Sequence, residues 1–264
     1  MNLELHGLTA IVTGASQGIG KAIAIGMARH GAEVALVART ASTLETVAAE
    51  IRQEAGKDAR VLTVPTDVRQ ADEVAALVET VHAELRAVDI LVNNAGTSQR
   101  GPFLEQTDER WQDDLDLKVF AAIRLARRTI PDMQAAGRGR IINITAIVGK
   151  HATAESMPTS VSRAAGIAMT KALSKEFAAD GILVNSICIG TIESGQQDRR
   201  WQQNAPELSR EEFYRFLAAD RGLPMGRVGL PEEVANLAVF LASDASSYLS
   251  GTAINLDGGA SHVV

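Results

Sequence analysis

The feature that most constrains the fold is a regular alternation of short apolar runs with longer segments of helical periodicity, sustained along the whole chain. Strands that are apolar on both faces and separated by helices are typical of a parallel sheet covered by helices on both sides. The sequence therefore predicts an α/β fold with a doubly wound parallel sheet of about seven strands. The apolar runs predict strands over 8–13, 33–38, 60–66, 89–92, 140–145, 183–189 and 253–256. The segments between them predict helices over 19–30, 42–55, 71–85, 108–136, 157–180 and 231–242.

The organisation of the chain favours one domain over residues 1–264. A length of 264 residues fits one large α/β domain or two small ones. No linker, repeat or low-complexity tract interrupts the alternation, which decides for the single domain. Residues 191–230 form the one long segment without a strand or helix pattern, and we interpret them as an irregular excursion.

Charge and cysteine content exclude several classes of function. The net charge of −6, with no block of lysine or arginine, disfavours binding to nucleic acid, which depends on cationic contacts to phosphate. A single cysteine, Cys188, excludes an internal disulfide and every cysteine-based zinc pattern. The first eight residues lack a signal-peptide pattern, and no apolar run is long enough to span a membrane. We therefore expect a cytoplasmic protein that acts on small molecules, without nucleic-acid or membrane partners and without a metal.

The turn after the first predicted strand, Thr13–Gly20, has the sequence TGASQGIG. Its glycines allow the backbone to approach a diphosphate, and the following helix offers unpaired N–H groups and the positive end of its dipole. The same glycines could also serve only to make a tight strand-to-helix turn. The position of the motif in the first βα unit favours the binding of a dinucleotide.

At this turn the chain resembles the short-chain dehydrogenase/reductase family, whose nucleotide signature is TGxxxGIG. Further resemblances are the NNAG motif at 93–96, the pair Asp67-Val68, the NLDGG segment at 255–259, and the segment 188–194, in which Ile189 replaces a proline of the family's PGxxxT pattern. The resemblance covers nearly the whole chain. It implies a nicotinamide dinucleotide site formed by Gly14, Ser16, Gln17, Gly18, Ile19, Gly20, Asp67, Val68, Asn94, Ala95, Gly96, Ile192 and Ser194.

Arg39 indicates which dinucleotide binds. It lies 19 residues after Gly20, at the end of the second predicted strand, where a carboxylate would accept the ribose hydroxyls of NAD. A guanidinium at this place suits a 2′-phosphate instead. We therefore expect NADP(H) to be preferred over NAD(H); the alternative is a solvated surface arginine.

The four active-site positions of the family, Asn, Ser, Tyr and Lys, are filled here by Lys118, Ala146, Thr159 and Arg163. No tyrosine lies between Gly96 and Asp180, so a small shift of the alignment does not restore one. A threonine is shorter than a tyrosine and has no phenol, whose pKa of about 10 can be lowered by a nearby ammonium. Arg163 keeps a positive charge that can contact the nicotinamide ribose, but it does not exchange protons. We assign catalytic roles to Lys118, Thr159 and Arg163.

Three hypotheses about function remain open on the sequence. The first is an NADP(H)-dependent oxidoreductase acting on a carbonyl or alcohol, in which another group supplies the proton. Candidates are Lys118, His151, Glu155 and a hydroxyl, Ser156 or Thr145, acting with water. The second is a non-redox lyase, dehalogenase or isomerase, and the third is an NADP(H)-binding subunit or sensor without turnover.

Residues 191–230 hold Trp201, Phe213, Tyr214 and Phe216, an enrichment in aromatic side chains. This enrichment favours an apolar lid over the nicotinamide, and hence moderately hydrophobic substrates. A helical hairpin packed on the core is the alternative. Arg199, Arg200 and Arg210 in the same segment suit an acidic substrate tail. The resemblance also implies a homotetramer assembled through helices 108–136 and 157–180 and the last strand.

Overall fold

The computed structural model describes residues 2–264, so Met1, the first residue of the predicted domain, lies outside it. A single parallel sheet runs through the molecule in the order β3-β2-β1-β4-β5-β6-β7. Its strands are β1 (Thr9–Thr13), β2 (Glu33–Ala38), β3 (Val61–Pro65), β4 (Ile90–Asn93), β5 (Gly139–Ala146), β6 (Ile182–Ile189) and β7 (Ala253–Leu256). The chain reverses its direction across the sheet between β1 and β4, which is the switch point of a doubly wound fold. The predicted fold class is confirmed.

Helices connect the strands and cover both faces of the sheet. They are α1 (Gly18–Arg29), α2 (Ala41–Ala55), α3 (Ala71–Glu84), α4 (Asp108–Leu115), a π-helical turn (Asp116–Phe120), α5 (Ala121–Ala136), α6 (Thr159–Glu176), α7 (Gly195–Asn204), α8 (Arg210–Asp220) and α9 (Pro231–Ala242). Short 3₁₀ turns lie at Phe103–Glu105, Ile147–Gly149, Ala178–Asp180 and Asp244–Ser246. No helix within residues 2–264 combines the length and the apolar character needed to cross a membrane.

The central strands bury side chains on both faces, which explains their uninterrupted apolar runs. In β1, Val12 packs into a cluster with Ile23 of α1 and Val234 of α9. Its neighbour Ile11 packs into a second cluster with Leu125 of α5. Successive side chains of a strand point to opposite faces, so both must be apolar when both faces are covered.

Two segments differ from the sequence-based expectation. The helix predicted over 108–136 is divided by the π-helical turn, which inserts at Asp116–Phe120. The irregular excursion predicted over 191–230 is wrong, because it contains α7 and α8. Both helices begin at a serine whose hydroxyl accepts a hydrogen bond from a backbone N–H, Ser194 for α7 and Ser209 for α8. The sequence of α7 is almost wholly polar, so it lacks the apolar periodicity by which a helix is recognised.

Candidate active site

A cleft of about 550 Å³ opens along the carboxyl ends of the strands. Loops that follow six successive strands line it, represented by Gly14 after β1, Arg39 after β2, Asp67 after β3, Asn94 after β4, Ile147 after β5 and Gly190 after β6. Ligands of doubly wound sheets bind at this edge, beside the switch point. All of the residues predicted to hold the dinucleotide line this cleft.

The turn between β1 and α1 presents its backbone to the cleft. The helix begins at Gly18, and the side chain of Gln17, at its N-cap, makes no capping hydrogen bond, so the first N–H groups stay available to a ligand. A Cβ atom on Gly20 would lie 2.2 Å from Gly14 O and 2.4 Å from Asn94 Nδ2. A Cβ on Gly18 would meet nothing within 4 Å. The turn therefore packs tightly against Asn94 at Gly20 and leaves open space at Gly18, an arrangement that fits a diphosphate.

Asn94 and Thr13 join the two strands at the switch point. Asn94 Nδ2 donates to Thr13 O at 2.8 Å, while Thr13 Oγ1 accepts from the backbone N–H groups of Asn94 and Ala95 at 2.9 and 3.0 Å. These bonds hold the loop after β4 against the glycine turn. The NNAG motif thus sets the shape of the cleft through backbone and amide contacts.

At the other end of the cleft Arg39 follows β2 and is exposed. Within residues 2–264 it makes no ion pair with a carboxylate. Nearby, Arg69 Nη2 donates to Asp67 Oδ2 at 2.6 Å. This bond lowers the pKa of the Asp67 carboxyl, and the positive charge of Arg39 lowers it further. Asp67 is thus engaged by Arg69, and Arg39 keeps its guanidinium available for an anion.

The proton-transfer region contains a buried network that the sequence did not predict as a whole. Lys118, on the π-helical turn, forms an ion pair with Asp114 of α4, and both side chains are almost completely buried. Lys118 Nζ also donates to Thr159 Oγ1 at 3.0 Å. Ser162 Oγ donates to Asp114 Oδ2 at 2.6 Å. Asp114 and Ser162 were missed, although the i, i+4 spacing of Asp114 and Lys118 is a signal for a helical ion pair.

The surroundings of Lys118 bring its proton affinity close to neutrality. Burial lowers the pKa of Lys118 to about 8, and the positive charge of Arg163 contributes in the same direction. The carboxylates of Asp114 and Asp113 oppose this shift. An ammonium with a pKa in this range can give and take a proton under physiological conditions.

Thr159 offers the hydroxyl of this network to the cleft. Its Oγ1 accepts from Lys118 Nζ and also from the backbone N–H of Gln99, at 2.9 Å. With both lone pairs used, the hydroxyl can still donate its own proton, for which the described part of the chain supplies no acceptor. Thr159 lines the cleft. The Thr159 hydroxyl is therefore able to donate a hydrogen bond toward the cleft.

Arg163 lies between the network and the glycine-rich loop after β4. Its Nη1 donates to Ile144 O at 2.6 Å. A Cβ atom on Gly96 would lie 2.8 Å from Arg163 Nη2, so a larger residue there would require the guanidinium to shift. Its Nε is buried and has no partner within residues 2–264. Burial lowers the pKa of Arg163 while Asp114 opposes the shift. Arg163 lines the cleft and its Nη2 makes no hydrogen bond within residues 2–264, so Nη2 fits a ribose hydroxyl.

Comparisons with known proteins agree with this geometry. The sequence matches the enoyl-(acyl carrier protein) reductase family over residues 14–261. Nodulation protein G from Rhizobium sp. (strain N33) is 37% identical over 256 residues, covering 97% of this chain and 98% of its own. The chain belongs to the short-chain dehydrogenase/reductase family. The prediction of an oxidoreductase family with one doubly wound domain is confirmed.

Two solved structures of short-chain dehydrogenases/reductases resemble the chain over their whole length. One is the NADPH-bound short chain oxidoreductase from Pseudomonas aeruginosa PAO1 that contains an atypical catalytic center. It has a TM-score of 0.93 and 34% identity, over 99% of both chains. The other is L-sorbose reductase from Gluconobacter frateurii complexed with NADPH and L-sorbose. It has a TM-score of 0.92 and 35% identity, over 100% of both chains.

Ala146, which the family resemblance aligns with a serine, ends β5 and lines the cleft without a hydroxyl. The other candidate proton donors lie elsewhere. Thr145 Oγ1 is buried and lies 2.6 Å from Ser186 Oγ, and Ser156 Oγ donates to Thr153 O at 2.6 Å. The described residues that line the cleft do not include His151, Glu155, Ser156 or Thr145. Of the groups considered for proton transfer, Thr159 lines the cleft, and Lys118 contacts Thr159.

The segment 191–230 of this short-chain dehydrogenase/reductase has its own small core. Phe213, Tyr214 and Leu217 are buried against one another, with Trp201 packed beside them. Phe216 is exposed to solvent. None of the four aromatics of this segment is among the described residues that line the cleft, and Phe213 and Tyr214 are buried in the segment's own core. The cleft-lining residues of the segment are Thr191, Ile192, Ser194, Gly195, Gln196, Gln197, Arg199, Arg200 and Arg221.

Proposed function

We propose that the protein is an NADP(H)-dependent oxidoreductase that interconverts a carbonyl compound and an alcohol, with Thr159 and Lys118 taking the place of the family's tyrosine. The observation that carries this proposal is the hydrogen bond from Lys118 Nζ to Thr159 Oγ1, 3.0 Å long, at the wall of the cleft. It couples a hydroxyl that faces the cleft to a buried ammonium whose pKa is about 8. A relative of known structure that binds NADPH also contains an atypical catalytic center.

The residues of the cleft would hold the cofactor as follows. The N–H groups at the start of α1, from Gly18 to Gly20, would receive the diphosphate. Arg39 would pair with a 2′-phosphate, which favours NADP(H) over NAD(H). Asp67, Val68, Asn94 and Ala95 line the adenosine side, and Ile192 and Ser194 line the nicotinamide side, as the family resemblance implies. Arg163 would donate from Nη2 to a ribose hydroxyl.

When bound, the nicotinamide supplies a hydride to a carbonyl carbon in reduction and accepts one from an alcohol in oxidation. In reduction, the Thr159 hydroxyl donates its proton to the carbonyl oxygen as that oxygen gains negative charge. Lys118 Nζ replaces this proton on Thr159 Oγ1, so the ammonium ends the step as an amine. Asp114 holds Lys118 in place and favours its protonated form, and the positive charge of Arg163 stabilises the developing oxyanion. Oxidation reverses these steps.

The relay accounts for a threonine at this position. An isolated aliphatic hydroxyl has too high a pKa to exchange a proton readily near neutrality, whereas a phenol comes closer to that range. The adjacent Lys118 supplies the acidity that the hydroxyl lacks. The buried ammonium and the hydroxyl thus together carry out the proton transfer that a tyrosine and a lysine carry out in the family.

Two measurements test the proposal. NADPH fluorescence is titrated with the purified protein and compared with NADH. Aldehydes, ketones and alcohols are then screened by absorbance at the nicotinamide band. We expect tighter binding of NADPH and turnover of a carbonyl or alcohol. Tight NADPH binding without turnover would favour a sensor or noncatalytic subunit, and consumption of substrate without nucleotide would favour a lyase or isomerase.

We further propose that residues 191–230 act as a substrate lid. Gln196 contacts Ser98 across the cleft with atoms 3.4 Å apart. A Cβ on Gly195 would lie 2.6 Å from Gln17 Oε1, so the start of α7 closes against the glycine turn. Deletion of α7 and α8 should raise KM for substrate more than the dissociation constant of NADPH.

The assembly that we propose is a cytoplasmic homotetramer. The edge strand β7 is only half-buried, and Phe120 and Val161 are exposed apolar residues on the segments 108–136 and 157–180. Unpaired edge strands and exposed apolar side chains favour association. Sedimentation at micromolar concentration tests the assembly, and a monomer there would contradict it. Cell fractionation tests the location.

A further inference from the structure

Four arginines line the cleft on the side of β6 and the 191–230 segment. Arg100 belongs to the loop after β4, Arg199 and Arg200 lie on α7, and Arg221 follows α8. They come from three separate stretches of the chain, so the cluster forms only in the folded protein. The whole chain carries a net charge of −6, which makes this local excess of positive charge distinctive.

The four guanidinium groups lack carboxylate partners within residues 2–264. By contrast, the neighbouring Arg210 pairs with Glu193 at 2.8 Å and with Asp198 at 2.9 Å. Two of the cleft arginines contact neutral hydroxyls instead. Arg221 Nη1 donates to Thr191 Oγ1 at 2.9 Å, and Arg100 Nη2 donates to Thr153 Oγ1 at 3.4 Å.

These charges act on one another. Desolvation lowers the pKa of Arg221, and the positive charges of Arg200 and Arg100 lower it further, with only Asp220 opposing. Like charges held together destabilise the folded protein unless an anion neutralises them. Arginine is also the side chain best suited to bind a carboxylate or phosphate through two parallel hydrogen bonds.

We infer that the substrate of this site carries an anionic group, a carboxylate or a phosphate, which Arg100, Arg200 and Arg221 bind while its carbonyl or alcohol lies at Thr159. The inference rests on the proposed function and deepens it. It replaces the moderately hydrophobic substrate that the aromatic content of the segment suggested. Of the arginines expected to suit an acidic substrate tail, Arg210 is already paired with Glu193 and Asp198, and Arg100 and Arg221 take its place.

The cofactor's own phosphates are assigned to other groups. Arg39 follows β2 and Arg221 contacts the loop after β6, on opposite sides of the switch point between β1 and β4. The diphosphate would lie at the start of α1, between them. The arginine cluster therefore lies apart from the adenosine end, on the side that the lid covers.

The test measures binding, so it does not depend on turnover. Calorimetric titrations of the protein, with saturating NADP⁺ and without nucleotide, compare levulinate, hydroxyacetone phosphate and the neutral levulinamide. We expect at least one anion to bind about tenfold more tightly than the amide, by an amount that decreases with added salt. The carboxylate and phosphate arms distinguish which anion the site prefers.

Variants assign the effect to the cluster. Arg100→Gln and Arg221→Gln should each remove most of the preference for the anion and leave the dissociation constant of NADPH unchanged. Arg215→Gln is the matched control, because Arg215 is exposed on α8 and pairs with Glu211. It should change neither value.

Three results would overturn the inference: equal affinity for the amide and both anions, no binding of either anion at millimolar concentration, or a loss of NADPH affinity in Arg100→Gln and Arg221→Gln as large as the loss of anion affinity. The last would mean that these arginines hold the cofactor. Failure of the proposed function would appear separately, as absent NADPH binding or absent turnover, while the titrations without nucleotide still report on the anion.

Discussion

The turn between β1 and α1 and the region around Lys118 border the same cleft. The first presents backbone groups to it, and the second presents side chains. The turn offers backbone N–H groups, and its shape depends on where glycines fall. The region around Lys118 offers side chains, which we align with the family's active-site positions and propose as substitutes for the family's residues. Backbone recognition therefore persists while glycine spacing persists, whereas a set of side chains can be exchanged if the members change together.

The exchanged set is internally consistent. A lysine buried alone would carry a large desolvation penalty, but Asp114 pairs with it and Ser162 donates to that carboxylate. Thr159, which we align with the family's tyrosine, accepts a hydrogen bond from Lys118. The comparison of the two regions leads to four predictions, from the largest effect to the smallest.

The largest effect is expected for Lys118→Met. Loss of a positioned proton donor lowers the rate by about 10²–10⁴-fold. The NADPH dissociation constant should stay unchanged, because the phosphate turn is untouched. Stopped-flow and steady-state kinetics measure the rate, and fluorescence titration measures the NADPH dissociation constant.

Lys118→Met also leaves Asp114 buried and unpaired, which destabilises the fold. The double variant Asp114→Asn/Lys118→Met is the control for this effect, since it removes both charges. Equal losses of rate and of NADPH affinity in the double variant would contradict the division of the cleft into two regions.

Gly20→Ala should break the other region. The new Cβ would lie 2.2 Å from Gly14 O, so the turn must shift and NADPH affinity should fall by about 100-fold. Gly26→Ala is the matched control in the same helix, because its Cβ would lie 3.3 Å from Val239 Cγ2. Unchanged NADPH binding in Gly20→Ala would show that the diphosphate lies elsewhere.

Arg39→Gln should act on cofactor choice alone. Removing the guanidinium should weaken NADPH binding by about tenfold and leave NADH binding unchanged, because only NADPH carries a 2′-phosphate. Parallel fluorescence titrations with both nucleotides measure this. An equal loss for both would indicate a general contribution of charge.

The smallest effect concerns pH. The pKa of Lys118 is lowered to about 8, so the ammonium needed for reduction is lost as pH rises through 8, and kcat should fall there. Oxidation needs the amine, so its rate should rise over the same range. Asp114 raises the pKa of Lys118, so Asp114→Asn should move both limbs to lower pH. If the pH dependence of the two rates is unchanged in this variant, it arises from a group other than Lys118.

The same shift affects stability, with the opposite sign from an ordinary salt bridge. The pKa of Lys118 is below its ordinary value of 10.5, so between pH 8 and 10.5 the unfolded chain holds a proton that the folded chain has released. The contribution of this group to the free energy of unfolding therefore increases, and the folded protein becomes more stable, as pH rises through that window.

Much of the fold follows from local patterns. The strands over 33–38 and 253–256 and the helix from Pro231 to Ala242 occur as predicted, because apolar runs and a proline at the first helical position are local signals. Helices α7 and α8 were missed, since α7 has little apolar periodicity and α8 buries its aromatics in a separate small cluster. The π-helical turn that carries Lys118 has no sequence signature of its own.

The order of strands and helices, the phosphate turn, the position of Arg39 and the lack of a tyrosine between Gly96 and Asp180 are properties of the sequence by itself. Tertiary structure alone decided that Lys118 meets Thr159, 41 residues away, and that four arginines from three stretches face one cleft. The reason is physical: turns and periodicity arise from neighbours along the chain, whereas the pKa of a lysine and the pairing of an arginine depend on what packing brings near and on how much water it removes.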